Sequence, residues 1–267
     1  MKFSASLSLL AALLPIVSAG VLERRAWSLP PVNGVFDYQL GGAYAPESNV
    51  QIVTRDSGAA ALAGKYNICY VNGFQTQPQD KSFWETNYPN LLLRRADGQL
   101  FEDPEWPGEY LLDTRTAAQR TALVDVMATR YINGCASKGF QAIEIDNLDT
   151  YSRSGNLLNI NGNLLYAGLL VQYAHDKGLA VGQKNAAGLG VRGKNEAKFD
   201  FAVTEECEEW DECEDYTDVY GRNVIEIEYT RANFDASCSA RGSDISIVLR
   251  DYLVVPKGRP DYVYAQC

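Results

Sequence analysis

Short apolar runs typical of β-strands alternate along the chain with polar or glycine-rich breaks and with longer segments of helical spacing. Two of the longer segments predict helices: the expected apolar stripe is Leu123, Val124, Met127 and Tyr131 in Thr116–Ile132, and Leu165, Leu169 and Ala174 in Asn163–Lys177. Nine runs predict strands: Val35–Leu40, Gln51–Arg55, Asn67–Asn72, Tyr110–Asp113, Ala142–Asp146, Ala180–Lys184, Phe201–Glu205, Val224–Tyr229 and Ile245–Arg250.

This alternation of strands and helices is typical of α/β proteins with a parallel sheet. About eight such units follow one another in the chain, and this number favours a single-domain (β/α)8 TIM barrel. Nine strand candidates are one more than such a barrel needs, and the sequence does not identify the surplus one. A doubly wound open sheet is the alternative architecture.

The first residues have the pattern of a secretory signal peptide. A short basic start is followed by an apolar run over residues 7–17 and by the small-residue cleavage pattern Val17-Ser18-Ala19. The run is too short to span a bilayer comfortably, although an N-terminal anchor is the alternative. We therefore expect a secreted, extracellular protein that is free of the membrane, with a signal peptide at 1–19, a propeptide at 20–25 that ends at the dibasic Arg24-Arg25, and a single folded domain at 26–267.

The chain has six cysteines, and an extracellular location favours disulfides between them. Their spacings do not resemble a zinc module. The short separation of Cys207 and Cys213 predicts a disulfide that closes a small loop, and Cys238–Cys267 is the second expected pair. The sequence alone does not determine the pairing.

Charge and composition exclude several classes of function. The 24 Lys and Arg residues against 34 Asp and Glu give a net charge of −10, and such a surface repels nucleic acid. His175 is the single histidine, so a Ser-His-Asp triad would have to use this residue, and a metal site with several histidines is excluded. The chain also contains no glycine-rich phosphate loop.

Polar and acidic residues follow several of the predicted strands at the point where each strand ends. In a barrel enzyme, the carboxyl ends of the strands form the active-site mouth. Turn formation or helix capping explains one or two such positions, but a series of five favours a shared site. The five segments are LLDT at 111–114, IEIDN at 143–147, GQKN at 182–185, VTEEC at 203–207 and IEIEY at 225–229.

Side-chain alternation predicts which of these acids face the barrel axis. Within residues 143–146 the two isoleucines are expected to face the helices, which leaves Glu144 and Asp146 on the axis side. A deep carboxylate needs a partner, so we predict a contact of Lys184 with Glu144 or Asp146. Paired carboxylates without a nucleophile–histidine pair are what glycoside hydrolysis requires, although barrel lyases and isomerases also carry acid clusters.

Longer motifs around these strand ends carry a family resemblance that covers most of the chain in order. The segments are YQL at 38–40, NICYVNG at 67–73, GEYLLDTR at 108–115, GFQAIEIDNLDTY at 139–151, GLAVGQKNA at 178–186, FDFAVTEECEEWDEC at 199–213 and IEIEY at 225–229. Together they resemble glycoside hydrolase family 114, the endo-α-1,4-polygalactosaminidases.

The resemblance implies a (β/α)8 barrel that cleaves α-1,4-linked galactosamine polymers of the galactosaminogalactan type internally, without a metal or organic cofactor. The catalytic aspartate of the family falls on Asp146 and the catalytic glutamate on Glu205. We expect Asp146 to act as nucleophile or base and Glu205 as proton donor. Strand alternation favours Glu205 over Glu206 as the inward carboxylate. Sugar-binding or supporting positions are expected at Asn147, Asp149, Tyr151, Lys184, Asn185, Glu228 and Tyr229.

An acidic run gives an independent indication of the substrate. Eight of the eleven residues in 205–215 are Asp or Glu, and the run contains Trp210, which could stack on a sugar. A polymer with free amino groups is cationic, so an acidic mouth would concentrate it. The neighbouring acids are also expected to raise the pKa of Glu205. Trp84 and Trp106 are further stacking candidates.

Two other functions agree with the same residues. One is a barrel glycosidase acting on another α-linked glycan, and the other is a carbohydrate-binding barrel without catalysis. The expected partner in each case is a polysaccharide, with no nucleic acid and no membrane. We expect the protein to be a monomer.

Overall fold

The computed structural model describes Met1 and residues 27–267. The predicted signal-peptide cleavage site and propeptide therefore lie outside the described residues. Eight parallel strands pair in chain order, and the first contacts the last, which confirms the single-domain (β/α)8 barrel. They are β1 Phe36–Gln39, β2 Ile52–Asp56, β3 Tyr66–Asn72, β4 Ala142–Asp146, β5 Ala180–Lys184, β6 Phe201–Glu205, β7 Val224–Glu228 and β8 Ser246–Arg250.

Seven α-helices are present in the described part of the chain. They are α1 Lys81–Asn87, α2 Ala117–Met127, α3 Asn133–Ser137, α4 Thr150–Arg153, α5 Ile160–Asp176, α6 Cys213–Tyr220 and α7 Arg231–Arg241. Thr116 caps α2, and its capping box with Gln119 fixes the start of that helix. A π-helical stretch, Ala128–Ile132, continues α2 into α3. Residues 40–51 and 57–65 contain no helix, so β1, β2 and β3 are joined by loops rather than by the helices of regular barrel units.

The predicted strand Tyr110–Asp113 is not part of the barrel. It lies in the long segment between β3 and β4, residues 73–141, which we call the excursion. There Tyr110 and its two leucine neighbours form isolated antiparallel bridges with Glu102, Gln75 and Leu92. Leu111 and Leu112 are fully buried, so this run has the apolar pattern of a barrel strand while packing inside the excursion.

A ninth strand, β9 (Tyr264–Gln266), was not predicted. It pairs antiparallel with β8 along residues 248–250. The Tyr264 hydroxyl donates to the Phe36 carbonyl of β1, so β9 lies at the seam where the barrel closes. Three residues are too few to show a period of two, which explains why the pattern gave no signal.

Two apolar layers surround the barrel wall. Ile143 and Ile145 belong to the outer layer between strands and helices, as predicted. The inner layer fills the barrel and is built from side chains such as Ile68, Phe201 and Ile227.

The predicted stripe of Asn163–Lys177 is partly wrong. Leu165 and Leu169 point to solvent, 59% and 43% exposed, and only Ala174 of the three is buried. Helix α5 instead buries Leu164 and Leu170, each of which directly neighbours one of these exposed leucines. Because the leucines come as adjacent pairs, the sequence does not reveal which of each pair faces the barrel.

Three disulfides connect the six cysteines. Cys207–Cys213 and Cys238–Cys267 are confirmed, and the third, Cys69–Cys135, joins β3 to α3. None of the helices described is long and apolar enough to cross a membrane.

Candidate active site

A cleft of about 790 Å³ opens at the carboxyl ends of the strands. The residues that directly follow β4, β5 and β6 all adopt left-handed backbone conformations: Asn147 at φ 62°, Asn185 at φ 50° and Glu206 at φ 56°. Asparagine tolerates this conformation better than most residues. The chain therefore turns sharply after each strand, and the last residues of β4, β5 and β6 are left facing one cleft.

Lys184 lies at the centre of the site and bridges two carboxylates. Its Nζ is 2.5 Å from Glu205 Oε2 and 3.7 Å from Asp146 Oδ1. The predicted contact with Asp146 is therefore present, and the shorter contact is to Glu205. Burial alone would lower the pKa of Lys184, but Asp146, Glu205 and Glu144 outweigh it and raise the pKa above its ordinary value. Lys184 is therefore a permanent cation between the two carboxylates.

Glu205 accepts three hydrogen bonds, from Lys184, from Asn185 Nδ2 at 3.1 Å and from the Tyr229 hydroxyl. Burial would raise the pKa of Glu205, but the charge of Lys184 and these hydrogen bonds hold it below its ordinary value. The expected upward shift is therefore wrong. The acids of the 205–215 run influence Glu205 less than the donors on β5 and beside β7.

Asp146 is held by a different set of donors. The Tyr70 hydroxyl donates to Oδ2 at 2.7 Å, and the backbone N–H of Asn147 donates to Oδ1 at 2.9 Å. Below it, Glu144 is fully buried and accepts from the Tyr38 hydroxyl at 2.9 Å. Burial raises the pKa of Glu144 to about 8, despite the opposing influence of Lys184.

Seven of the eight predicted substrate-binding residues line the cleft, namely Asn147, Asp149, Tyr151, Lys184, Asn185, Trp210 and Tyr229. Glu228 does not, and this part of the prediction is wrong. Its side chain is completely buried behind the acidic loop, and Oε1 accepts the backbone N–H of Glu208 at 3.1 Å. Glu228 therefore supports the loop and is not positioned to touch a sugar.

The acidic loop, residues 206–212, is fixed from several sides. Cys207–Cys213 closes it, and Arg241 of α7 pairs with Glu208 at 2.6 Å. Glu206 lines the cleft as well as Glu205, contrary to the expectation that only one would face inward. The cause is its left-handed backbone conformation, which ends the strand alternation at Glu205.

The three candidate stacking tryptophans differ. Trp210 and Trp106 both line the cleft and are 67% and 48% exposed, so their rings are free to stack on a sugar. Trp84 is fully buried in the excursion and does not reach the cleft, so that prediction is wrong.

Several cleft residues were not identified from the sequence. Tyr70 and Asn72 could have been found, because alternation along β3 puts Ile68, Tyr70 and Asn72 on the axis side. Glu109 and Arg153 gave no such signal. Glu109 belongs to the irregular excursion, and Arg153 ends the short helix α4 and pairs there with Asp103 and Asp149.

One group of described side chains, Cys207, Cys213, Glu226 and Glu228, lies close enough together to hold a metal. Its two sulfurs are joined in a disulfide and Glu226 pairs with Arg241, so these residues do not fit a metal ion.

A pair of carboxylates at the mouth of a (β/α)8 barrel, within an open and acidic cleft, is the arrangement of a barrel glycoside hydrolase. The sequence matches Glycoside-hydrolase family GH114 over residues 19–267, and the chain belongs to this family. It is therefore a glycoside hydrolase.

Solved structures show the same fold. Ega3 from Aspergillus fumigatus, solved in complex with galactosamine, is 21% identical with a TM-score of 0.69, over 91% of this chain and 98% of that chain. The glycoside hydrolase domain of PelA from Pseudomonas aeruginosa is 11% identical with a TM-score of 0.55, over 84% of this chain and 97% of that chain. No protein with a curated description matches the chain.

Proposed function

We propose that this protein is a secreted, endo-acting glycoside hydrolase that cleaves α-1,4-linked galactosamine polymers, with Asp146 and Glu205 as its catalytic carboxylates. The observation that carries the proposal is the pair itself, bridged by Lys184 in an open cleft of a GH114 chain. The similar fold of Ega3, which was solved with galactosamine, supports the choice of sugar.

The charge of the cleft favours a cationic polymer. Its lining contains two cations, Lys184 and Arg153, and both are already paired with carboxylates of the protein. The acids are more numerous, so the cleft attracts ammonium groups and disfavours anionic glycans. The lining acids are Glu105, Glu109, Asp146, Asp149, Glu205, Glu206 and Glu212.

In the proposed reaction, Asp146 attacks the anomeric carbon and Glu205 gives a proton to the leaving oxygen. Tyr70 and the Asn147 N–H orient Asp146, and Tyr229 and Asn185 orient Glu205. Lys184 fixes the two carboxylates relative to each other. Water then releases the sugar from Asp146 with Glu205 as base.

The distance between the carboxylates favours a retaining mechanism. The distances from Lys184 Nζ limit the separation of Asp146 Oδ1 and Glu205 Oε2 to the sum of 3.7 and 2.5 Å, which is 6.2 Å. Retaining enzymes have carboxyl separations of about 5–5.5 Å and inverting enzymes about 6.5–9.5 Å. Proton NMR of early products should therefore show a new α-configured reducing end that later equilibrates. Initial release of the β anomer would contradict the retaining assignment.

The substrate is tested by incubating the protein with a deacetylated α-1,4-galactosamine polymer and measuring new reducing ends. We expect internal cleavage that is fastest on this polymer and slower on its fully N-acetylated form and on a neutral galactan. Because the attraction is electrostatic, binding should weaken as the salt concentration is raised from about 0.05 to 0.5 M. The Debye length, over which charges interact, becomes much shorter in that range. Salt-independent binding, or equal cleavage of the neutral polymer, would favour another α-linked glycan.

The remaining alternative is a binding barrel without catalysis, which would hold the polymer and release no reducing ends.

Secretion is supported by the three disulfides, since such bonds persist outside the cell. The protein is also proposed to be a monomer, and light scattering of the purified protein tests this.

A further inference from the structure

Glu109 is one of the cleft's carboxyl groups that the mechanism above does not use. Its Oε2 accepts hydrogen bonds from Asn72 Nδ2 at 3.0 Å and from Gln75 Nε2 at 2.8 Å. Asn72 is the register partner of Asp146 across β3 and β4. Two amides therefore hold Glu109 beside the strand end that carries the proposed nucleophile.

Glu109 has no counter-ion among the residues that the structure describes. Of the two cations that line the cleft, Lys184 bridges the catalytic pair. Arg153 is paired with the residue that precedes its helix, Asp149, and with Asp103 of the excursion. Neither forms an ion pair with Glu109. Its Oε1 also accepts no hydrogen bond from a described residue, since both amides bind Oε2.

The surroundings of Glu109 disfavour an uncompensated charge. Burial raises its pKa to about 7; the two amide hydrogen bonds oppose this shift, while the charges of Asp146 and Asp103 add to it. A cation that entered the cleft would supply the missing partner and stabilise the ionised carboxylate. A cation in the cleft would therefore find Oε1 of Glu109 without a protein partner among the described residues.

Galactosamine supplies such a cation at a defined position. Its ammonium group is on C2, the neighbour of the anomeric carbon at which Asp146 is proposed to act. An N-acetyl group at the same position has no charge and is bulkier. An ammonium–carboxylate hydrogen bond is stronger than a neutral one, so one carboxylate beside C2 can distinguish the two sugars.

Building on the proposed function, we infer that Glu109 is a specificity-determining residue that binds the free ammonium group of the sugar beside Asp146. In this arrangement Oε2 stays on Asn72 and Gln75 while Oε1 accepts from the ammonium. Glu109 thereby selects deacetylated over N-acetylated galactosamine at that position.

The test is Glu109→Gln, whose amide oxygen can still accept from Asn72 and Gln75. Glu105→Gln is the matched control, because Glu105 lines the same cleft from the same segment and its side chain is 68% exposed. The measured quantity is the ratio of kcat/KM for fully deacetylated and fully N-acetylated oligomers. We expect this ratio to fall about 10- to 100-fold in Glu109→Gln, the size of a lost charged hydrogen bond. In Glu105→Gln it should change less than about threefold, as for an exposed charge.

If Glu109→Gln lowers kcat/KM equally for both oligomers, the residue only positions Asp146, and this result would overturn the inference. An unchanged ratio would also overturn it. If the wild type cleaves neither oligomer, the proposed function fails separately. The dissociation constants of the same two oligomers, measured by calorimetry for the wild type and Glu109→Gln, then decide the inference by the same ratio.

Discussion

Asp146→Asn and Glu205→Gln are each expected to abolish cleavage while the barrel stays folded. The first removes the attacking oxygen charge and should lower kcat by at least about 10³-fold. The second removes the proton donor, a loss of about 10²–10⁴-fold. New reducing ends from the deacetylated polymer give the rate, and circular dichroism with thermal unfolding gives the fold. Both substitutions are nearly isosteric, so the hydrogen bonds from Tyr70 and Tyr229 have acceptors that remain in place.

Asp149→Asn is the matched control, because Asp149 lines the same cleft without a proposed catalytic step. It should keep activity within about tenfold of the wild type, since its ion pair with Arg153 is partly exposed. A fully active Asp146→Asn or Glu205→Gln would overturn the catalytic pair. The two roles separate with azide and an aryl α-galactosaminide: Asp146→Gly should yield the β-glycosyl azide and Glu205→Gly the α-glycosyl azide. The opposite pattern would exchange the roles.

Lys184→Met is expected to impair both stability and catalysis. Lys184 is buried between Asp146 and Glu205, so its loss leaves two neighbouring carboxylates without a cation. Breaking such a pair costs about 3 kcal/mol in the free energy of unfolding. Because the charge of Lys184 is the main influence that lowers the pKa of Glu205, that pKa should rise in the variant.

Both effects depend on pH in a defined direction. The pKa of Glu205 is below its ordinary value of 4.5 in the folded protein, so its ionised form stabilises the fold above that value. The stability difference between wild type and Lys184→Met should therefore be largest near neutral pH and shrink as pH falls through the pKa of Glu205.

Glu205 as proton donor acts in its protonated form, so kcat/KM of the wild type should decline with rising pH already in the acidic range. In Lys184→Met this decline of kcat/KM should move to higher pH. At its optimum pH the variant should also have a kcat/KM about 10²-fold lower than the wild type. Denaturant unfolding and a pH–rate profile measure the two effects. Lys177→Met, an exposed lysine on the barrel's other end, is the control. An unchanged profile in Lys184→Met would contradict the role given to the lysine.

The barrel could be predicted because its strands are continuous apolar runs that end in polar residues. All eight parallel strands come from predicted runs, and the surplus one, Tyr110–Asp113, has the same local pattern while packing inside the excursion. Nothing in a single run tells which neighbour it will pair with. Strand β9 was missed for the opposite reason, since three residues at the seam are held there by contacts distant in sequence.

The site could be predicted where it depends on strand ends and not where it depends on loops. Asp146, Lys184 and Glu205 end three successive strands, so their convergence follows from the barrel. Glu228 also ends a strand, but its neighbour Ile227 belongs to the inner layer, so Glu228 faces outward, where Glu208 of the acidic loop covers it. The same isoleucine–acid alternation in β4 faces the other way, so the pattern alone does not tell which set is inside. Glu109 reaches the cleft through the folding of a 69-residue excursion, residues 73–141, whose conformation the sequence pattern does not predict.

The position of β9 has a consequence for how the barrel is completed during synthesis. A closed barrel has no free strand edge, whereas an open one exposes edges that invite pairing between chains. Here β9 covers the β8 edge beside β1, and it follows all the other strands in the chain. During synthesis, the edge of β8 along residues 248–250 therefore stays without its β9 partner until residues 264–266 have left the ribosome. The bond between Cys238 and Cys267 ties the residue after β9 to α7, so the strand that covers this edge is held in place covalently.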